Sequence, residues 1–450
     1  MTDASSPFSS KQARIIKRAL AQLAGAKSFK PIRSLDDFGD VPFGRELQLT
    51  DHRMVLLSDR AMEQVEMIVA TTVEVDPFEG LADYADIWSA SWKTLEELVS
   101  NGQMAESAEE WLNHISGRIK PQIQSRIVIV PFVGVELKGI DDLTLGSFKL
   151  LRPSTGHLET MGVDHEWANV SKVIEGYRDR ELWLQGCVRG TPRVVESRFR
   201  TLADLIAGLL AVAVGVLSKS GATRVFVSPN MSGHDSHGDA TWFSWDAETA
   251  NFTTHGSGLR GVPFEIDSGL REQLYQASTF ATAMKIFEAE TRTPLEEAIA
   301  RGFHWFADAH RDPTPVMQFV KYWSCIETFF SNDRDEITKS VSIGIAAVLV
   351  FGGYEFVPQS DYANVKRRAA NLYALRSQAV HRASRTHVNE RDVADLSRYA
   401  AQLLINMLSF VERGYQSPGE IKQHCMRLND QIERGRQAAS EDRGQAAAEL

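Results

Sequence analysis

From Asp267 onward the chain is an almost unbroken succession of helix-forming segments, and that run limits the fold more than any other feature. Apolar residues at helical spacing predict helices over 267–288, 293–309, 314–330, 337–351, 360–382, 389–413 and 418–436, joined by links as short as RDPTP and SNDRDE. Helices joined so tightly must pack beside their sequence neighbours, so residues 266–436 describe an antiparallel bundle. The tail 437–450 is polar and Ala-rich with no apolar stripe, and is expected to be disordered.

The first 120 residues read as a mainly helical N-terminal region. Residues 11–24 place Ile15, Ile16, Ala19, Leu20 and Leu23 on one side, and helices over 83–100 and 104–118 follow. Trp88, Trp92, Leu95 and Leu98 mark an apolar face, which reads as core in preference to a ligand cage. Near Ser125 the character changes: SRIVIVPFVGVELKG and LTLGSFKLLRP are short, β-branched and broken by Gly, Pro and Asp, as strands are. Leu182–Val188 and Arg224–Val227 read likewise, with an apolar helix over 199–218 between them and no regular βαβ rhythm. Residues 121–265 therefore form an α+β region, read as a sensor. The fold class is α+β, a mixed α/β N-terminal and middle region followed by a C-terminal all-α helical bundle.

Residues 228–262 are the loopiest part of this region, with a short strand over 241–245. They carry His234, Asp235, His237, Asp239 and His255, residue types that bind metals but also build turns. Their spacing matches no metal motif, so no metal and no cofactor is expected. Cys187, Cys325 and Cys425 stand far apart with no CxxC, which excludes a thiolate zinc site and a disulfide framework. The start MTDASSPFSSKQ lacks the layout of a secretory signal, and the longest apolar run, Leu205–Leu217, is too short to span a hydrocarbon core. A cytoplasmic protein with no membrane partner is the expectation.

Charge turns the reading toward function. The formal net charge is -10, yet from Tyr362 through Asn389 there are six Lys or Arg residues, two His and no carboxylate. A basic island in an acidic chain calls for an anionic partner, because local fields dominate within about 10 Å at physiological salt. On a helical wheel Val365, Ala369, Leu372, Leu375 and Ala379 form one apolar stripe, and Arg376 falls in its middle. The helix over 314–330 carries Val316, Val320, Trp323 and Phe330 on one stripe, interrupted by Glu327. A lone buried charge costs several kcal/mol unless paired, so the simplest solution joins Glu327 to Arg376. Such a pair either serves a site or fixes the register of two packed helices. His381 lies five residues beyond Arg376, about 140° around a regular helix. The two can share one site through a distorted helix end or through a second copy across a two-fold axis.

The region from about Pro313 to Phe410 resembles the HEPN superfamily, most closely its ApeA-like branch. The resemblance is carried by FVKYWSCIETFF (319–330), by ITKSVS and its apolar helix (337–351), by VKRRAANLYALRSQAVHRA (365–383), and by the helix DVADLSRYAAQLLINMLSFV. Its centre is Arg-x4-His, here Arg376-Ser-Gln-Ala-Val-His381. The resemblance implies a HEPN-type bundle with its core over 313–410, a homodimer, and metal-independent cleavage of RNA by Arg376 and His381. Glu327, Tyr373 and Ser377 would support that pair, and Lys366, Arg367, Arg368, Arg382 and Arg385 would track the RNA backbone. The substrate would be a tRNA or single-stranded RNA, and the setting a toxin-like or anti-phage defence role. By architecture alone, the N-terminal region would receive an activating ligand or a phage component. The alternative within the same family is a non-catalytic module that binds RNA or a partner protein.

Overall fold

Four side-chain caps set the helical frame of the N-terminal part. In the computed structural model, which describes residues 7–25, 27–32, 45–50, 52–152, 182–217, 225–229, 241–245, 252–256, 263–330, 337–382 and 388–448, Ser9 caps α1 (Ser10–Leu23). Ser58, Asp83 and Ser107 do the same for α2 (Asp59–Val73), α3 (Tyr84–Ser100) and α4 (Ala108–Ile119). Each hydroxyl or carboxylate accepts a backbone N–H that the first helical turn would otherwise leave unpaired. Between α1 and α2 lie β1 (Phe29–Pro31), β2 (Glu46–Gln48) and β3 (Met54–Leu57), an antiparallel sheet of order β1-β3-β2. Ile16, Leu20, Val65, Ile68, Ile87, Leu95, Trp111 and Ile115 form the core of this part, with Trp88 and Trp92 packed half-buried against it. The reading of the tryptophans as core therefore holds.

The chain divides into two compact units, residues 1–128 with 187–199, and residues 129–186 with 200–450. The strands are β4 (Gln124–Val133), β5 (Val135–Lys138), β6 (Asp142–Leu145), β7 (Phe148–Leu151), β8 (Leu182–Gly190), β9 (Ser228–Pro229), β10 (Thr241–Trp245), β11 (Phe252–Gly256) and β12 (Phe264–Asp267), with the long helix α5 (Pro192–Leu217) after β8. A five-stranded sheet has the order β6-β7-β8-β4-β9, β10 pairs with β11, and β12 pairs in parallel with β5. The strand expected over 224–227 is displaced to β9.

Tertiary contacts explain why the middle region does not stand alone. The amide of Ser147, in the β6–β7 turn, donates to Glu288 Oε1 at 2.6 Å, and the amide of Thr144 to the Tyr275 hydroxyl at 2.8 Å. Arg311 pairs with Asp204 at 2.6 Å. A Cβ at Gly208 would stand 2.6 Å from the Phe303 carbonyl oxygen, so the backbone of α5 approaches a bundle helix as closely as only glycine permits. The 205–217 run lies inside α5, whose 26 residues are long and apolar enough to cross a membrane; 67% of that apolar window is buried in the fold.

The C-terminal helices are α6 (Ser268–Gln276), α7 (Ser278–Glu288), α8 (Pro294–Arg311), α9 (Pro315–Phe330), α10 (Ile337–Phe351), α11 (Tyr362–Arg382), α12 (Glu390–Glu412) and α13 (Pro418–Ala448). The fold is α+β with a C-terminal helical region, as the sequence suggests. Two corrections follow. The single helix expected over 267–288 breaks at Ala277, whose ψ of 110° is extended. Beyond the break α7 buries Phe280, Ala283, Met284, Ile286 and Phe287, whereas α6 buries only Leu274. The tail expected to be disordered from 437 continues α13 to Ala448, because Ala, Glu and Gln have enough intrinsic helix propensity to extend an existing helix. At the centre, every residue of α10 from Ser340 to Val350 is buried. A helix without a polar face must be covered all round.

Candidate functional site

The core face of α9 is turned toward α8. It runs through Phe319, Tyr322, Ile326 and Phe329, with the Tyr322 ring 5.1 Å from that of Phe306. Of the stripe expected to be buried, Trp323 and Phe330 are buried, whereas Val316 and Val320 are rotated to the flank and, like Glu327, half-buried. That rotation leaves Trp323 and Glu327 on the side of α9 that meets α11. On α11, Val365, Ala369, Leu372 and Ala379 are buried as expected, while Leu375 and Arg376 lie at the edge.

The two charges meet there. Arg376 Nη2 donates to Glu327 Oε2 at 2.9 Å, with the side chains 25% and 16% exposed. Tyr373, one turn before Arg376, donates its phenol to the same carboxylate. Its ring centroid lies 5.8 Å from the guanidinium carbon, close enough for a cation–π contact. Trp323 closes the group from α9, meeting the Tyr373 ring edge-on at 5.1 Å and 89°. Burial, and then the Glu327 charge and hydrogen bond, push the Tyr373 phenol above its usual pKa, so it stays protonated and donating at neutral pH. The three guanidinium nitrogens are not equivalent: Nη2 is held by Glu327, Nε is buried with no hydrogen-bond partner, and Nη1 makes no hydrogen bond among the described residues. The geometry anchors one corner of a planar cation and leaves another able to receive an oxyanion.

The remaining basic residues of α11 divide differently. Lys366 Nζ contacts Asn429 Oδ1 at 2.8 Å and Glu433 Oε1 at 3.1 Å on α13. Arg368 forks onto Asp392 at 2.8 Å and Asp395 at 2.9 Å on α12. Arg367 is exposed and bonds the nearby Asn364 side chain. Of the first three residues expected to track RNA, two are thus committed to carboxylates within the chain. Asp392 and Asp395 are legible in the sequence only as acidic residues near a helix start, where the macrodipole accounts for them; nothing in the sequence marks Asn429 and Glu433.

Ser377 is exposed. His381 and Arg382 lie in the last turn of α11, and their side chains fall outside the described residues, as Arg385 does entirely. The backbone of α11 is helical from Arg376 to His381, so the two are set about 140° apart. His234, Asp235, His237 and Asp239 also fall outside the described residues, as does the side chain of His255. Among the described residues no three His, Cys, Asp or Glu side chains gather as a metal site. Comparison with family models, curated proteins and solved structures returns no match.

Proposed function

We propose that the helical region is a HEPN-type module acting as a metal-independent endoribonuclease, with Arg376 and His381 as its working pair in a homodimeric composite site. The observation that carries this reading is the Arg376 guanidinium, drawn to the core edge by Glu327 and Tyr373 yet left with a donor that no described residue fills. Evolving negative charge on a scissile phosphate is what such a donor stabilises. A histidine with an ordinary pKa near 6.5 takes the 2′-hydroxyl proton or protonates the leaving 5′-oxygen. The products are a 2′,3′-cyclic phosphate and a 5′-hydroxyl. Since Arg376 and His381 are not on one face of α11, the second Arg and His come from another copy of the chain across a two-fold axis. A toxin-like or anti-phage defence role suits a nuclease joined to a large preceding region that receives the activating signal.

The commitment of Lys366 and Arg368 to carboxylates favours a second reading. With little free charge to track a phosphate backbone, the module would bind a partner protein without cutting. One experiment separates the two. Purified protein is incubated with a tRNA and with single-stranded RNA in EDTA, and the ends are mapped. Cleavage lost in both Arg376→Ala and His381→Ala, each folded as wild type, supports the nuclease; cleavage that survives both changes removes the site.

A further inference from the structure

The N-terminal unit contains a cleft of about 460 Å³, bounded by α3, α4 and the start of α5. Three cations from three elements line it, Lys93, Arg118 and Arg193. One carboxylate, Asp86, lines it as well, and its charge is already engaged. Its Oδ2 accepts from the Thr191 hydroxyl and, at 3.2 Å, from the Asp83 amide, while Oδ1 lies 3.8 Å from Arg193 Nε. Arg118 is likewise held from behind, by Glu97 and by the Thr94 hydroxyl at 3.3 Å from its Nε. These contacts orient guanidinium groups without filling the space between them.

The floor of the cleft is kept low by a residue that helix stability does not favour. Gly117 lies inside α4, where alanine would strengthen the helix. A Cβ built there meets nothing within 4 Å, so packing does not require glycine either. What the glycine leaves is room, and the room faces cations. The volume is that of a small-molecule site, and the polar, cationic walls select charge over apolar shape.

We propose that this cleft binds a small phosphate-bearing molecule, with Lys93, Arg118 and Arg193 contacting phosphate oxygens and Gly117 clearing the floor. The site shares no residue with the Arg376 group and does not depend on the nuclease reading. The test uses calorimetric titration of the full chain with pyrophosphate, ADP and adenosine. Pyrophosphate and ADP bind and adenosine does not; tighter binding of pyrophosphate than of ADP assigns an inorganic source, and the reverse a nucleotide. Lys93→Ala with Arg193→Ala lowers the affinity about tenfold or more, the loss expected for charge-assisted contacts. Gly117→Gln fills the cleft from its floor, keeps or raises the thermal midpoint of the free protein and blocks binding. The idea is overturned if neither phosphate compound binds at millimolar concentration, if adenosine binds as well as ADP, or if affinity is unchanged in both variants.

Discussion

Glu327 Oε2 stands 2.9 Å from Arg376 Nη2, joining two helices separated by α10 in the chain. The same carboxylate receives the Tyr373 phenol, so one acid orients both an arginine and the aromatic ring beside it. Removing the acid therefore does two things at once. It frees the guanidinium, and it strands a phenol at the edge of the core.

Glu327→Ala is expected to lower stability by about 1–2 kcal/mol, less than the roughly 3–5 kcal/mol for breaking a fully buried pair, because Arg376 is 25% exposed and can rehydrate. Urea denaturation measures it. In a double-mutant cycle with Arg376→Ala the coupling should be at least about 0.5 kcal/mol; additive losses would mean that the pair contributes nothing beyond its separate parts.

Arg368 and Arg367 should behave oppositely. Arg368→Ala leaves Asp392, buried at 5% exposure, without its cation and Asp395 with Arg398 at 3.1 Å, and should cost about 1–3 kcal/mol. Arg367→Ala should change stability by less than about 0.5 kcal/mol. Equal thermal midpoints for the two variants would contradict this division.

His310 makes the fold acid-sensitive. It is buried beside Phe226, its Nε2 has no hydrogen-bond partner, and burial first, then the Arg311 charge, push its pKa down to about 4 against a bonding contribution from Val225. Below pH 6.5 the unfolded chain binds a proton that the folded chain refuses. Stability tied to this group is therefore whole above pH 6.5 and declines as pH falls toward 4, by about 3 kcal/mol in all. Denaturation midpoints between pH 7 and pH 4.5 should fall less steeply in a folded His310→Phe variant than in wild type.

Asn406 should prove one of the costlier polar residues to replace. Fully buried, it donates to the carbonyls of Val348 and Tyr354 at 3.1 and 3.2 Å and accepts from the Tyr354 amide at 2.8 Å. Asn406→Leu strands the Tyr354 amide, while the Val348 and Tyr354 carbonyls keep the bonds they accept from the Gly352 and Phe356 amides, and a loss of about 1–3 kcal/mol in denaturant titration is expected.

Much of the frame was legible because it is local. The helices between 294 and 412 fall within a few residues of their predicted limits, since caps, links and apolar spacing act over single turns. The Arg376–Glu327 pair was legible for a related reason: a charge in an apolar stripe needs a partner, and few partners were on offer. What escaped was non-local. Nothing around Ala277 marks a break, and nothing in residues 121–265 reveals that Ser147 and Thr144 bond to α7 and α6.

The sequence by itself determined the order of elements, the all-helical C-terminal region and the need to pair Arg376. Only the tertiary structure decided which cations remain available. Lys366, Arg367 and Arg368 are three adjacent basic residues of one helix, alike on paper. Asn429 and Glu433 on one neighbouring helix and Asp392 and Asp395 on another engage the first and the third. An ion pair depends on distance in space, and the chain brings those carboxylates to α11 only by folding.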